Sequence, residues 1–168
     1  MSSQDYAAGA LAGEQLPTPG QLDYMAFHGQ SERVHSIFKR IPGSDRGRYA
    51  SRHVLSQVVR GGVATLRATH PEAVAIIQEE RDLLEDVIAL FVSLCRSEGT
   101  FPRELFQALL EWSRELLAAS RIAEALEYCD LALDLGARAF PDVYPQILLQ
   151  KANQFFTSWK IATFSPPT

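Results

Sequence analysis

Four histidines, two cysteines and a few carboxylate pairs are the side chains in this sequence that could do chemistry. His28, His35, His53 and His70 are dispersed, and neither His-Glu-x-x-His nor Cys-x-x-Cys occurs. Zinc sites need ligands at short, repeated spacings, so the pattern implies no metal site and no cofactor. Each histidine reads as a surface or capping residue, with His70, just before Pro71, as a cap neighbour. Cys95 and Cys129 are too few for a disulfide framework. They fall on apolar helical stripes, where a free cysteine behaves as a small apolar residue. A nucleophile also needs a positioned base, and none is identifiable. Glu79/Glu80 and Glu124/Glu127 read as solvated helix faces. The run Pro42-Gly43-Ser44-Asp45-Arg46-Gly47-Arg48 lacks the Gly-Lys-Ser/Thr of a phosphate loop. It reads as a basic loop in which Arg46, Arg48 and Arg52 are the candidate anion-binding residues, with Tyr49 among them able to stack on a base. No catalytic set emerges, and the expectation is a protein that is not an enzyme.

Charge is unevenly spread. Residues 1–30 sum to −3, residues 31–70 to +6 and residues 71–168 to −7, within a net charge of −4. A split of this kind suits a nucleic-acid or acidic partner on the basic segment 31–70, or that segment packed on the chain's own acidic helices. The 168 residues are 46% hydrophobic and 21% charged, enough for a real core in one domain. No run of 18 apolar residues spans a membrane, and the first residues lack the pattern of a secretory signal. A cytoplasmic location is expected.

The elements that must position these residues are helices. Residues 1–18 read as a flexible tail rich in Ala, Gly, Ser and Gln. Thr18-Pro19-Gly20-Gln21 has the form of a capping box opening a helix that Gly29 ends. Val34, Ile37, Phe38 and Ile41 form the stripe of a second helix, stopped by Pro42-Gly43. Ser44 or Asp45 is placed to cap a third, with Val54, Leu55, Val58, Val59, Val63 and Leu66 on one side. Gly61-Gly62 inside it predicts a break or a close backbone approach, and a weakened or kinked helix is favoured. Thr69-His70-Pro71-Glu72 is a further capping-box candidate for a long helix over 71–97. Its stripes are Ile76, Leu83, Val87, Leu90, Leu94 and, beside them, Leu84, Ile88, Phe91, Cys95. Helices over 101–119, 122–135 and from Pro141/Pro145 to about 161 follow, with Gly136 as a left-handed stop. Residues 165–168 are a Pro-rich end. Strict alternation and Asn-Gly or Asp-Gly turns are missing. The fold class is therefore all-α: antiparallel helical hairpins, about six or seven helices, forming one domain over 19–164.

Residues 106–139 resemble a tetratricopeptide repeat, a helix–turn–helix unit of 34 residues. Leu109 and Trp112 occupy its large positions in the first helix, and Ser113 its small one. The turn falls at Ser120-Arg121, Ile122 follows it, and Ala125 and Ala132 take the small positions of the second helix. The chain departs from the pattern at Leu116 for tyrosine, Cys129 for an aromatic and Ala137 for the closing proline. The resemblance covers about a fifth of the chain and implies an α-solenoid fragment. It also implies a groove that binds a protein or peptide segment, lined here by Gln107, Leu110, Arg114, Leu117 and Ala118. The Lys and Asn clamp by which some members hold a peptide carboxylate is absent. A lone repeat cannot bury its faces, so neighbouring helices must flank it. Ile147, Leu148, Phe155, Phe156 and Trp159 make the last helix more apolar than a solvated cap requires, so it should be buried or dock on a partner. The resulting expectation is an adaptor, chaperone or complex subunit that binds protein. A nucleic-acid-associated protein using residues 31–70 is the alternative.

Overall fold

The computed structural model describes residues 15–164; the expected N-terminal tail up to residue 14 and the Pro-rich end at 165–168 lie outside them. The chain is all-α, with no strand among the described residues. It divides into two compact units, Met1–Glu98 and Gly99–Thr168, where the sequence suggests one domain.

The first unit is built from α1 (Pro19–Phe27), α2 (Ser31–Arg40), the short α3 (Arg46–Tyr49), α4 (Arg52–Ala68) and α5 (Val74–Glu98). Helix α1 begins with the expected capping box: Thr18 Oγ1 accepts from Gln21 N–H while the Gln21 side chain accepts from Thr18 N–H. Gly29, at φ +74°, supplies the left-handed turn into α2. The expected cap at Ser44 or Asp45 is not used. A 3-10 turn (Gly43–Asp45) and α3 intervene, and Ser51 caps α4 by accepting from Val54 N–H. The capping box expected at Thr69 is also absent. Thr69 closes α4 with its hydroxyl donating to Thr65 O, and His70 Nδ1 accepts from Glu72 N–H. Ile76, expected in the core stripe, is exposed, because the buried face of α5 starts at Glu80.

Gly61 and Gly62 neither break nor end α4, which runs continuously through them. Their role is close approach on two sides. A Cβ on Gly61 would stand 2.6 Å from His35 Cβ and 2.8 Å from Ser31 O of α2; one on Gly62 would stand 2.5 Å from Leu84 Cδ2 of α5. Successive helical positions differ by about 100°, so an adjacent pair of glycines admits one neighbour on each flank. Gly61→Ala is expected to destabilise by about 1–3 kcal/mol despite alanine's better helix propensity, since backbone Ser31 O cannot move aside. Gly62→Ala should cost less, because the nearest atoms are the end of a leucine side chain. Urea midpoints of the two variants check this order.

The second unit comprises α6 (Arg103–Ala118), α7 (Ile122–Leu135), a 3-10 turn (Ala137–Ala139) and α8 (Tyr144–Phe164). Helices α6 and α7 form a hairpin whose turn places Ser120 at φ +62°. Arg121 N–H closes the turn on Leu116 O at 2.9 Å. Small residues line the seam: Ser113, Ala125, Cys129 and Ala132 are all buried. Trp112 is buried beside them, edge-on to Tyr128. Gly136, at φ +111°, ends α7 as expected. Helix α8 packs back on both α7 and α6. No helix among the described residues is long and apolar enough to cross a membrane.

Candidate functional site

Within the second unit, α8 presents two unlike faces. Its inner stripe is Val143, Ile147, Gln150 and Gln154, all buried. Gln154, fully buried, donates from Nε2 to Ser113 Oγ at 2.9 Å. Ser113 in turn donates to Ala125 O at 3.2 Å. A serine has one proton, so the 3.2 Å contact between Ser113 Oγ and Cys129 Sγ has the thiol as donor. Burial pushes the Cys129 thiol up, more than its contacts with Ser113 and Gln154 lower it, which keeps that proton in place. Cys129 is thus a packing and hydrogen-bonding residue that joins three helices. Lys151 of α8 adds an ion pair with Asp130 of α7 at 2.7 Å.

The outer face of α8 is the reverse: Leu148, Leu149, Phe155, Phe156 and Trp159 are 40–63% exposed. The Phe156 and Trp159 rings lie 6.0 Å apart. The sequence expectation that this helix be buried or dock is therefore divided between two sides. Ile147 goes to the core and the other four apolar residues face solvent.

The residues expected to line the groove on α6 separate. Arg114 and Ala118 are exposed, and Gln107 and Leu117 are half-buried. Leu110 is 5% exposed and belongs to the core beneath them. Arg114 Nη2 donates to Gln146 Oε1 at 3.2 Å, which ties this face to the start of α8.

The first unit holds a cluster that residue types did not suggest. Glu80, read as solvated, is 1% exposed. Its carboxylate accepts from His35 Nε2 at 2.9 Å and from Lys39 Nζ. An ionised carboxylate only accepts, so Nε2 carries the His35 proton. Burial would raise the Glu80 carboxyl, but the hydrogen bonds and charges of His35 and Lys39 together outweigh it and hold it below its ordinary range. His35, read as a surface or cap residue, is buried as well. An open cleft of about 340 Å³ lies over this cluster between α2 and α4, lined by Glu32, His35, Ser36, Lys39, Gly61 and Thr65 among others. Periodicity could have found both residues. Glu80 shares the register of Leu84, Val87 and Phe91 at spacings of four, seven and eleven, and His35 stands three before Phe38.

The candidate anion-binding residues are not equivalent. Arg46 is committed to its own unit: Nε donates to Ile41 O at 3.1 Å and the guanidinium lies 5.5 Å from the Phe38 ring centre. Arg48 and Arg52 are exposed. Tyr49 is half-buried and donates to Pro17 O at 2.7 Å, so its hydroxyl has a structural partner. The other histidines stay apart: His28 packs on Tyr24, and His53 Nδ1 lies 3.4 Å from Asp23. Among the described residues, no group of three or more His, Cys, Asp or Glu could hold a metal ion.

No family model, curated protein or solved structure matches this chain. The functional reading therefore rests on the geometry.

Proposed function

We propose that this is a non-catalytic protein-interaction module, an adaptor, chaperone or assembly subunit of the cytoplasm, whose working part is the second unit. The observation that carries the reading is the inverted α8: it buries Gln150 and Gln154 and turns its leucines and aromatics to solvent. Exposed apolar patches of this kind mark interaction sites. The tetratricopeptide-like pattern over 106–139 supports the same reading, with Gln107, Arg114, Leu117 and Ala118 at the edge of the surface and Leu110 supporting them from the core.

The test is capture of the tagged protein's partners from extract of its native cells, with and without nuclease. Partners should survive nuclease and be lost on Arg114→Glu or Phe155→Glu, with helix content unchanged. Retention by both variants would remove the second unit as the binding part.

The alternative reading, a nucleic-acid contact through residues 31–70, is supported by the exposure of Arg48 and Arg52. It predicts affinity that falls steeply with salt, with a flatter slope on neutralising those two residues.

A further inference from the structure

We infer that the outer face of α8 is a homodimer interface, in which the helix lies antiparallel against α8 of a second copy of this chain. The inference rests on the interaction-module reading and adds the identity of one partner.

At about 100° per residue, Leu148, Leu149, Ala152, Phe155, Phe156 and Trp159 fall within an arc of about 120°, opposite the buried glutamine stripe. The arc contains no charged residue. By register Lys151 and Lys160 stand at its two margins, and Lys151 is paired with Asp130.

The area matches what a stable dimer needs. Five large side chains, 40–63% exposed, leave on the order of 500 Å² of apolar surface, taking roughly 150–250 Å² for each aromatic and somewhat less for leucine. Homodimer interfaces are about 65% apolar, so such a face implies about 800 Å² per copy with its polar margin. That is the share of a standard stable interface, about 1,600 Å² over both partners.

The face is also complementary to itself when reversed. Turning α8 about the point between Asn153 and Gln154 sets Leu148 against Trp159 and Ala152 against Phe155. At the centre of the seam small Ala152 then meets large Phe155, as interdigitated layers require, with Leu148 packing on the Trp159 ring at either end. A parallel pairing would instead set Ala152 against Ala152 and bring Lys151 toward Lys151. A two-fold axis uses the same patch on both copies, which is the commonest closed symmetry of soluble oligomers.

Sedimentation equilibrium of the full chain tests this, with Trp112→Phe leaving Trp159 as the only fluorophore of its kind. The expected result is a monomer–dimer equilibrium, with Trp159 emission moving to the blue as concentration rises. Phe155→Glu and Ala152→Glu should each weaken association by roughly 30-fold or more, as loss or blocking of a central anchor does. Their helix content should be unchanged, because both positions face solvent. A mixture of Leu148→Cys and Trp159→Cys proteins should cross-link through a short bis-maleimide between unlike copies. Cross-linking only between like copies overturns the antiparallel arrangement. A monomer at every concentration, or a dimer indifferent to Phe155→Glu, overturns the inference. A monomer that still captures a different protein through Phe155 overturns it while leaving the interaction-module reading intact; a monomer that captures nothing removes both.

Discussion

Glu80→Ala is expected to lower the unfolding free energy by about 3 kcal/mol, the lower end of what removing one member of a buried charged pair costs. Glu80 is 1% exposed and joins α5 to two side chains of α2. Its removal leaves the buried His35 without its acceptor. The loss stays near the lower end because the Lys39 side chain is 35% exposed and its head can turn to water. Lys39→Met should cost less, about 1–2 kcal/mol, because Glu80 keeps the His35 bond. The same cluster sets an acid limit. The Glu80 carboxyl is lowered in the folded state, so the stability it contributes is complete above the ordinary pKa of an unfolded glutamate, about 4.3. It is lost as the pH falls from there through the folded value. Denaturation midpoints against pH should show a steeper acid decline for the wild type than for Glu80→Ala. Equal declines, or a loss well under 1 kcal/mol, would mean that this carboxylate does not hold α2 to α5.

Trp112→Ala is expected to cost about 3–5 kcal/mol and to unfold the second unit first. Trp112 is 1% exposed and packs edge-on against Tyr128 across the α6–α7 hairpin. Alanine there leaves a large cavity beside small residues that cannot fill it. Trp112→Phe should be far milder, within about 1.5 kcal/mol. The indole Nε1 has no hydrogen-bond partner among the described residues, so the ring exchange removes a buried unpaired donor along with some packing area. Hydrogen exchange should show the alanine variant losing protection across α6, α7 and α8 while α1 to α5 keep theirs. Loss spread evenly over the chain would contradict the division into two units.

The helices were largely legible in the sequence. Stripes at helical spacing and turn residues located α2, α5, α6 and α7 to within a few residues, whereas α4 starts at Arg52, well past the expected cap at Ser44 or Asp45. Glycine and proline marked the stops, because the left-handed turns at Gly29 and Gly136 suit glycine above other residues. Caps were read less well. Ser44, Asp45 and Thr69 have the right side chains, but capping also requires the backbone to enter a helix at that point, and Ser51 lies where α4 starts. Gly61-Gly62 was ambiguous because a glycine pair reads the same whether it breaks a helix or admits a neighbour; what decides is the position of His35 and Leu84, residues far away in sequence.

The candidate site was half legible. The apolar excess of the last helix was visible, but the direction of its faces was not. Ile147, Gln150 and Gln154 share one stripe, and hydrophobicity by itself would have turned the glutamines outward. Tertiary packing reversed this: Gln154 reaches Ser113, the small residue of the α6 seam. Glu80 and His35 were missed because residue type outweighed register. A carboxylate is rarely buried, and only its partners, His35 and Lys39 from another helix, make burial tolerable.

The most direct measurement of the central claim is oxidative footprinting of the protein within the assembly captured from its native cells, compared with the isolated protein under dilute conditions. Protection is expected at Phe155, Phe156 and Trp159 on α8, with little change at Arg48 and Arg52. Protection centred on Arg48 and Arg52, with α8 as reactive as in the isolated protein, would contradict it and make residues 31–70 the functional surface.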